Sequence, residues 1–587
     1  MWHICLTVSF AIILLTLIVL IVTTCRKKGA YISPANVLTI GIFIASVVMF
    51  IPISLETFAT DGITAKIFKT AFISVLHTLK IFLVDNDFEV IRSITSEKQG
   101  LFYNIYSSYA AALFLIAPLL TFSVVLSFFK NAAAYRQYLK SYNKNIYVFS
   151  KLNDKSLALA QSIHENYKSA KIIFIGVQEQ NEDEDNLAKA RSLKAICFKK
   201  DMLSINFNFH SRDKDIAFFT IDDNEAENVK LALSIISKYK NRAKTRLYVS
   251  SNETEGEVLL SSVETNLLKV RRISDVRTLI YSLLESTGEL LFKEAVDYPE
   301  NNKKLISAVV VGLGKHGTEM TKSLAWFGQM DGYRTEITSF DKKTDAKDKF
   351  TYLCPELMSE KFNNQFTDDG EAQYKIDIRG GIDVETMEFL DEINSIPEIT
   401  YIFVDIGNDE NNIRTAIKLR TLLLKKDKAP RIQAVVSNSE KKAALEGITN
   451  HSGQKYNIDF VGDIRSFYSV GSIIDSDLET EALARHMKWG KEEDFWKYEY
   501  NHRSSVASAL HRRMKVICET PGINKEPSQR TEEERLKLRM VEHRRWNAYM
   551  RSEGFTFAEK RNNLAKTHHC LITYNDLTPE EKAKDDD

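Results

Sequence analysis

Leu305-Ile306-Ser307-Ala308-Val309-Val310-Val311-Gly312-Leu313-Gly314-Lys315-His316-Gly317 is the stretch on which the fold of the soluble part turns. An apolar strand, Leu305 to Val311, runs into a complete G-x-G-x-x-G, and a helix follows from Thr318. In that setting Gly312 permits the tight turn, Gly314 lets a phosphate approach the backbone, and Gly317 lets the helix pack on the strand. The helix N-terminus adds N–H donors for an anion. The next strand, Glu336 to Phe340, ends at Asp341, where a carboxylate can accept from ribose hydroxyls. Gly312, Gly314, Gly317 and Asp341 are therefore candidate contacts to a nucleotide or NAD-like cofactor, against the alternative that the glycines only serve turn packing. Tyr401 to Asp405 and Ile432 to Ser437 continue the sheet, and Asp405, Asn408 and Asp409 fall at its C-terminal rim, where open α/β sheets bind ligands.

Upstream, short apolar strands alternate with amphipathic helices: Ile146 to Phe149, Ile172 to Val177, Ala195 to Phe198, Ile216 to Ile221 and Leu247 to Ser250. That alternation predicts another parallel sheet. Its first turn, Ser150-Lys151-Leu152-Asn153-Asp154, has no glycine, so a pyrophosphate cannot easily approach it. Residues 141–290 are expected to be a degenerate unit serving as scaffold or dimerisation module, and 301–470 the unit with the intact motif.

The N-terminal 140 residues are of another kind. Cys5 to Thr24, Ala35 to Leu55 and Leu101 to Phe129 contain no charge and reach the roughly 20 apolar residues a bilayer-spanning helix needs. The first run is longer than a signal-peptide core and lacks a cleavage site, so it is expected to stay attached. Arg26, Lys27 and Lys28 follow the first span, and Lys130, Arg136, Lys140 and Lys144 the third. By the positive-inside bias these clusters are cytoplasmic. The expectation is a three-span protein of the cell inner membrane, with its N-terminus outside and its C-terminus cytoplasmic. Between spans two and three, residues 63–84 predict an amphipathic helix. Phe68, Ala71, Phe72, Val75, Leu79 and Phe82 lie to one side, with Lys66, Lys69, His77 and Lys80 towards the other. It is either re-entrant and pore-lining, or it lies in the outer interface with its lysines snorkelling. No TVGYG-like run occurs in the segment, whose only glycines are Gly62 and Gly100, so potassium selectivity is not supported. Asp85, Asp87 and Glu89 could form an acidic ring in an oligomer or simply a solvated loop.

Composition narrows the classes further. Lys+Arg and Asp+Glu both number 78, which gives no argument for a nucleic-acid partner. The six cysteines show no CxxC or metal-ligand spacing, so neither a disulfide framework nor a metal site is expected.

From about residue 495 the chain is basic, aromatic and helical in pattern. Asn501-His502-Arg503-Ser504-Ser505 opens one helix, and Glu542-His543-Arg544-Arg545-Trp546-Asn547 sits inside another, where Glu542, Trp546 and Tyr549 share a face. These groups read either as core with a paired glutamate or as a pocket for an anionic, base-bearing ligand. Glu542 to Trp546, then Gly554-Phe555, then Leu571-Ile572-Thr573-Tyr574-Asn575-Asp576-Leu577-Thr578-Pro579-Glu580-Glu581-Lys582 resemble the ryanodine-receptor (RyR) repeat domain over residues 495–587. Thr573 stands where that family commonly has proline. Membrane spans followed by tandem Rossmann-like units also resemble regulator-of-potassium-conductance (RCK) proteins. The resemblances imply a bacterial RyR-type protein that senses a nucleotide-derived signal, in a setting such as antiviral defence. Arg503, Ser504, Ser505, Glu542, Arg545, Trp546 and Tyr574 are then the candidate ligand residues.

The expected fold class is an α-helical membrane domain plus α/β: two Rossmann-like doubly wound units and a mainly α-helical C-terminal RyR domain. The expected function is a ligand-gated membrane effector or ion channel, acting as a homo-oligomer. The chain contains no G-x-S-x-G, H-E-x-x-H or Walker A lysine, so it is expected not to be an enzyme and to have no catalytic residues. A membrane-tethered NAD-dependent oxidoreductase and a non-conducting membrane scaffold are the alternatives.

Overall fold

A computed structural model describes residues 1–25, 34–59, 62–83, 88–98, 100–178, 182–252, 254–298, 303–364, 373–449 and 452–586. Arg26, Lys27, Lys28, Asp85 and Asp87 lie outside the described residues. The chain divides into two units, 1–140 with 198–205, and 141–197 with 206–587.

In the first unit the uncharged runs become helices α1 (Trp2–Cys25), α2 (Pro34–Thr57) and α5 (Leu101–Lys140), with α3 (Ile63–Phe82) and α4 (Phe88–Glu97) between them. Among the described residues three helices, α1, α2 and α5, are long and apolar enough to cross a membrane. At about 1.5 Å per residue, the 24 residues of α1 reach some 36 Å, more than a bilayer core.

The burial of α3 shows which side packs. Its inward stripe is Thr70, Ser74 and Thr78 with Ile81, all buried, whereas Phe68, Phe72 and Leu79 are exposed. Small hydroxyl side chains let helix backbones approach where apolar packing offers little gain over lipid. Ser74 Oγ donates to Ser54 Oγ at 3.0 Å. The rings of Phe50 and His77 stack at 5.2 Å, and those of Phe43 and Phe82 lie 5.8 Å apart. These pairs make α3 antiparallel to α2 and bring Phe82 beside the middle of α2. Phe88, opening α4, meets Phe114 of α5 at 5.7 Å. At the other end of α4, Lys98 pairs with Glu56, which also accepts from Trp2 Nε1 at 2.9 Å. Helices α3 and α4 therefore run to mid-depth along α2 and α5 and come back.

The second unit begins with β1 (Ile146–Phe149), α6 (Asp154–Asn166), β2 (Lys171–Phe174), α7 (Glu184–Ser192), β3 (Ile196–Cys197), β4 (Ile216–Thr220), α8 (Glu225–Tyr239), β5 (Thr245–Ser250), α9 (Thr254–Ser261), β6 (Leu268–Ile273) and α10 (Asp275–Lys293). All six strands are parallel, in the order β3-β2-β1-β4-β5-β6. Then come β7 (Val296–Tyr298), β8 (Lys303–Val311), α11 (Lys315–Phe327), β9 (Tyr333–Asp341), α12 (Ala346–Leu353), β10 (Tyr374–Gly380), α13 (Met387–Ser395), β11 (Tyr401–Val404), α14 (Asp409–Leu424), β12 (Arg431–Val435), α15 (Ser439–Leu445) and β13 (Ile458–Val461). This sheet is ordered β10-β9-β8-β11-β12-β13, parallel throughout, with β7 antiparallel to the start of β8. Both orders are the doubly wound one, whose crevice opens beyond the C-terminal strand ends.

Each sheet contains strands the hydropathy pattern hid. Strand β6 carries Lys269, Arg271 and Arg272, and β10 carries Lys375, Asp377 and Arg379, so neither reads as an apolar run. The boundary at residue 470 also moves. After α16 (Ile464–Phe467) the chain returns to the first sheet, where Tyr468 Oη donates to Asp275 at 2.5 Å and Val470 N to Ser162 Oγ at 3.0 Å.

The C-terminal helices start earlier than residue 495, with α17 (Asp477–His486) and α18 (Glu492–Lys497) ahead of α19 (Glu499–Ile517) and α20 (Glu532–Ser552). A two-stranded pair, β14 (Thr556–Phe557) and β15 (Thr567–His568), and the short α21 (Pro579–Lys582) complete the chain. One apolar core joins both sheets to these helices; in it Trp326 of α11 meets Tyr281 of α10 at 5.8 Å and Tyr549 of α20 at 5.9 Å.

Candidate functional site

The three glycines separate by what surrounds them. Gly312 has φ +93°, and a Cβ there would lie 2.1 Å from Asp405 O; at Gly317 it would lie 1.8 Å from Gly312 O. Both are required by backbone packing, which matches the turn and the helix–strand packing expected of them. Gly314, the N-cap of α11, has nothing within 4 Å of its missing Cβ. It faces a cavity of about 2200 Å³.

That cavity is walled on one side by the glycine turn and on the other by the C-terminal helices. Gly314, Asp341, Arg503, Ser504, Ser505, Glu542, Arg545 and Trp546 all line it. Residues from two distant motifs thus open on one space. Tyr574 does not line it: the ring is buried behind the wall, edge-on to His543 at 6.0 Å. Of the charged side chains lining the cavity, sixteen are Lys or Arg and ten are Asp or Glu, a balance that favours an anion.

Asp341 Oδ2 accepts the Leu313 N–H at 2.7 Å and Oδ1 the Lys343 N–H at 2.8 Å. The carboxylate fixes the turn as well as facing the cavity. The rim residues are committed elsewhere. Asp405 pairs with His316 Nδ1 at 2.8 Å, which with Asn412 holds its carboxyl below the usual range despite burial. Asn408 caps α14, and Asp409 accepts from Ser437 N and Asn438 N at 3.0 and 3.1 Å.

Across the cavity, Glu542 is buried and accepts from Ser508 Oγ (2.7 Å), Lys515 Nζ (2.7 Å) and Arg545 Nη2 (2.8 Å). Burial alone would raise its pKa, but Arg545, Lys515 and Arg485 hold it well below the carboxylate range. Glu542 and Arg545 are therefore partners in a structural ion pair. Arg503 pairs with Glu499, with Glu257 at 3.0 Å and with Glu553 at 3.6 Å. Trp546 is half-buried, packed edge-on to His568 at 4.9 Å and stacked with His543 at 5.9 Å, and is one of several aromatic side chains on the cavity, with Trp489 and Tyr500 among the others.

Sequence reading missed the floor between the two walls. Arg277 at the start of α10 joins Glu553 at 2.6 Å and Glu319 at 3.2 Å, and Lys322 meets Glu319 at 3.4 Å. Glu553 is buried, yet Arg277, Lys322 and Arg503 hold its pKa well below the ordinary value. Arg272 of β6 binds Glu499 at 2.8 Å. This network ties the degenerate unit, the glycine unit and the C-terminal helices together beneath the cavity. The only local signal for it was the Arg271-Arg272 pair inside an otherwise strand-like segment.

The degenerate turn is closed by its own side chains. Asn153 Oδ1 accepts the Ser156 N–H at 2.9 Å, and Asn153 Nδ2 donates to Ile221 O at 3.0 Å. An asparagine thus takes a helix N-terminal donor that a phosphate would use.

No protein-family profile matches the chain, and no curated protein matches it. Among similar solved structures is the crystal structure of Anabaena Alr3699/HepE in complex with UDP, 9% identical, covering 66% of this chain and 98% of that one with a TM-score of 0.17. The expectation that the chain is not an enzyme finds no support in these comparisons and is not carried further. At that TM-score the likeness carries no argument about fold, ligand or activity.

Proposed function

We propose that the protein is a ligand-gated membrane effector whose cytoplasmic part binds a nucleotide-derived anion. The reading rests on one observation: the open glycine of the G-x-G-x-x-G turn and the Trp546 wall line the same cavity. A phosphate suits the N–H donors of α11 and the surplus of cations, and a base suits the face of Trp546. The resemblance to RyR-domain proteins supports the same reading and adds a homo-oligomer in the inner membrane. Helices α1, α2 and α5 then span the bilayer with the N-terminus outside, and α3 with α4 form a re-entrant hairpin entering from the outer side.

The test is leakage of dye or ions from liposomes bearing the purified protein as nucleotide second messengers are added. Triggered leakage should be present in wild type and lost in Gly314→Asp and Trp546→Ala. Leakage that persists in both variants removes the cavity from sensing, and nucleotide binding without leakage sinks gating.

A further inference from the structure

The structure assigns a second site, a zinc site, to the cavity wall at His568, His569, Cys570 and Glu581. In a continuing strand three consecutive side chains would alternate between faces. Here β15 ends at His568 and the chain turns through His569 and Cys570. One ligand atom from each then lies within 4.8 Å of the other two. Glu581 of α21 adjoins two of the three, its Oε1 2.7 Å from His569 Nε2 and 3.0 Å from Cys570 Sγ. A capping box formed with Thr578 holds that glutamate in place.

Two imidazoles, a thiol and a carboxylate are a tetrahedral zinc donor set, whereas magnesium and calcium take oxygen ligands. Zinc-bond lengths of about 2.0–2.3 Å put tetrahedral ligands roughly 3.3–3.8 Å apart. The two imidazoles are stacked, centroids 5.0 Å apart and 7° from parallel, so closing around the ion turns the more exposed ring, His569, until both nitrogens face it. His568 Nδ1 accepts the Cys570 N–H at 3.1 Å, which marks it as the unprotonated nitrogen. Coordination exchanges that hydrogen bond for a metal bond. Four protein ligands leave no open position, so the ion fastens: it clamps the last helix to the β15 turn. His568, His569, Cys570 and Glu581 all line the cavity, so the clamp fixes the shape of that wall. The site stands on this geometry alone and does not depend on the ligand proposed above.

The test uses full-length protein in detergent, reduced, stripped with a chelator and titrated with Zn²⁺ and separately with Co²⁺. Wild type should bind one equivalent of Zn²⁺ per chain, and its Co²⁺ form should show tetrahedral and thiolate-to-cobalt absorption. Cys570→Ser should lose the thiolate band, and Glu581→Gln should weaken Zn²⁺ at least about 10-fold. Failure of wild type to hold Zn²⁺, or a thiolate band unchanged in Cys570→Ser, overturns the assignment; the wild-type arm decides even if a variant misfolds.

Discussion

A single methyl group distinguishes the two kinds of glycine in the turn. Gly317→Ala places a Cβ against the Gly312 carbonyl, 1.8 Å away, so helix and strand must separate. The expected cost is at least about 1–3 kcal/mol of stability, read as a lower melting temperature in detergent, with ligand binding lost alongside. A Cβ at Gly314 meets no atom within 4 Å, so the melting temperature of Gly314→Asp should match wild type while nucleotide binding disappears. An equal loss of stability in both variants would deny Gly314 its special place. Glu542 poses the same question from the other wall. Glu542→Gln leaves Lys515 and Arg545 as buried cations without their anion, which should cost roughly 3–5 kcal/mol. A residue that merely contacted ligand would lose affinity and keep its stability.

At the scale of elements, α17 and α19 are joined by a buried pair whose protons make a prediction. His502 Nε2 lies 2.7 Å from Glu479, and Arg271 Nε lies 2.6 Å from the same carboxylate. Burial and Arg271 push His502 down to about 4, while Arg271 and His502 hold Glu479, against its burial, at about 2. A histidine depressed on folding contributes stability that is present above its unfolded value of about 6.5 and is lost as pH falls towards 4. The melting temperature of wild type should therefore fall between pH 7 and pH 5 more steeply than that of His502→Gln; parallel curves would refute the shift. Elements also show what the sequence carried and what it hid. The long uncharged helices and the strand before Gly312 were legible because apolar length and a glycine turn are local signals. Strands β6 and β10 were not, because their side chains are spent on ion pairs such as Arg272 with Glu499 and Arg379 with Asp377. The hydrophobic pattern of α3 did not say which side packs. In a membrane setting the apolar residues look outward and the Ser/Thr stripe packs, so the hydrophobic pattern points away from the partner helices. The cavity could not be read at all, since it joins residues more than two hundred positions apart.

Across the whole molecule, the depth of α3 and α4 is what separates a re-entrant hairpin from a helix lying on the surface. Phe82 beside Phe43 and Phe88 beside Phe114 place the hairpin's inner end near the middle of α2 and well down α5. The pairing of Lys98 with Glu56 returns it to the end from which it started. With α1, α2 and α5 as the spans, as proposed above, their odd number leaves the two ends of the chain on opposite sides, and a re-entrant hairpin adds none. Were α3 a fourth span, the N-terminus would share a side with the C-terminus. Single cysteines make the distinction in intact cells with a membrane-impermeant maleimide. Glu97→Cys, at the end of α4, should label from outside, as should a cysteine placed before Trp2, while Lys144→Cys should label only after permeabilisation. A cysteine before Trp2 that labels only after permeabilisation would make α3 a span. The Ser/Thr stripe supplies the companion test: Ser74→Leu forces a large side chain between α2 and α3 and should lower the melting temperature, whereas Phe72→Leu, on the outward face, should leave it unchanged. If α3 lay on the membrane surface instead of against α2, the two substitutions would exchange their effects, with Phe72→Leu weakening the membrane contact and Ser74→Leu passing unnoticed.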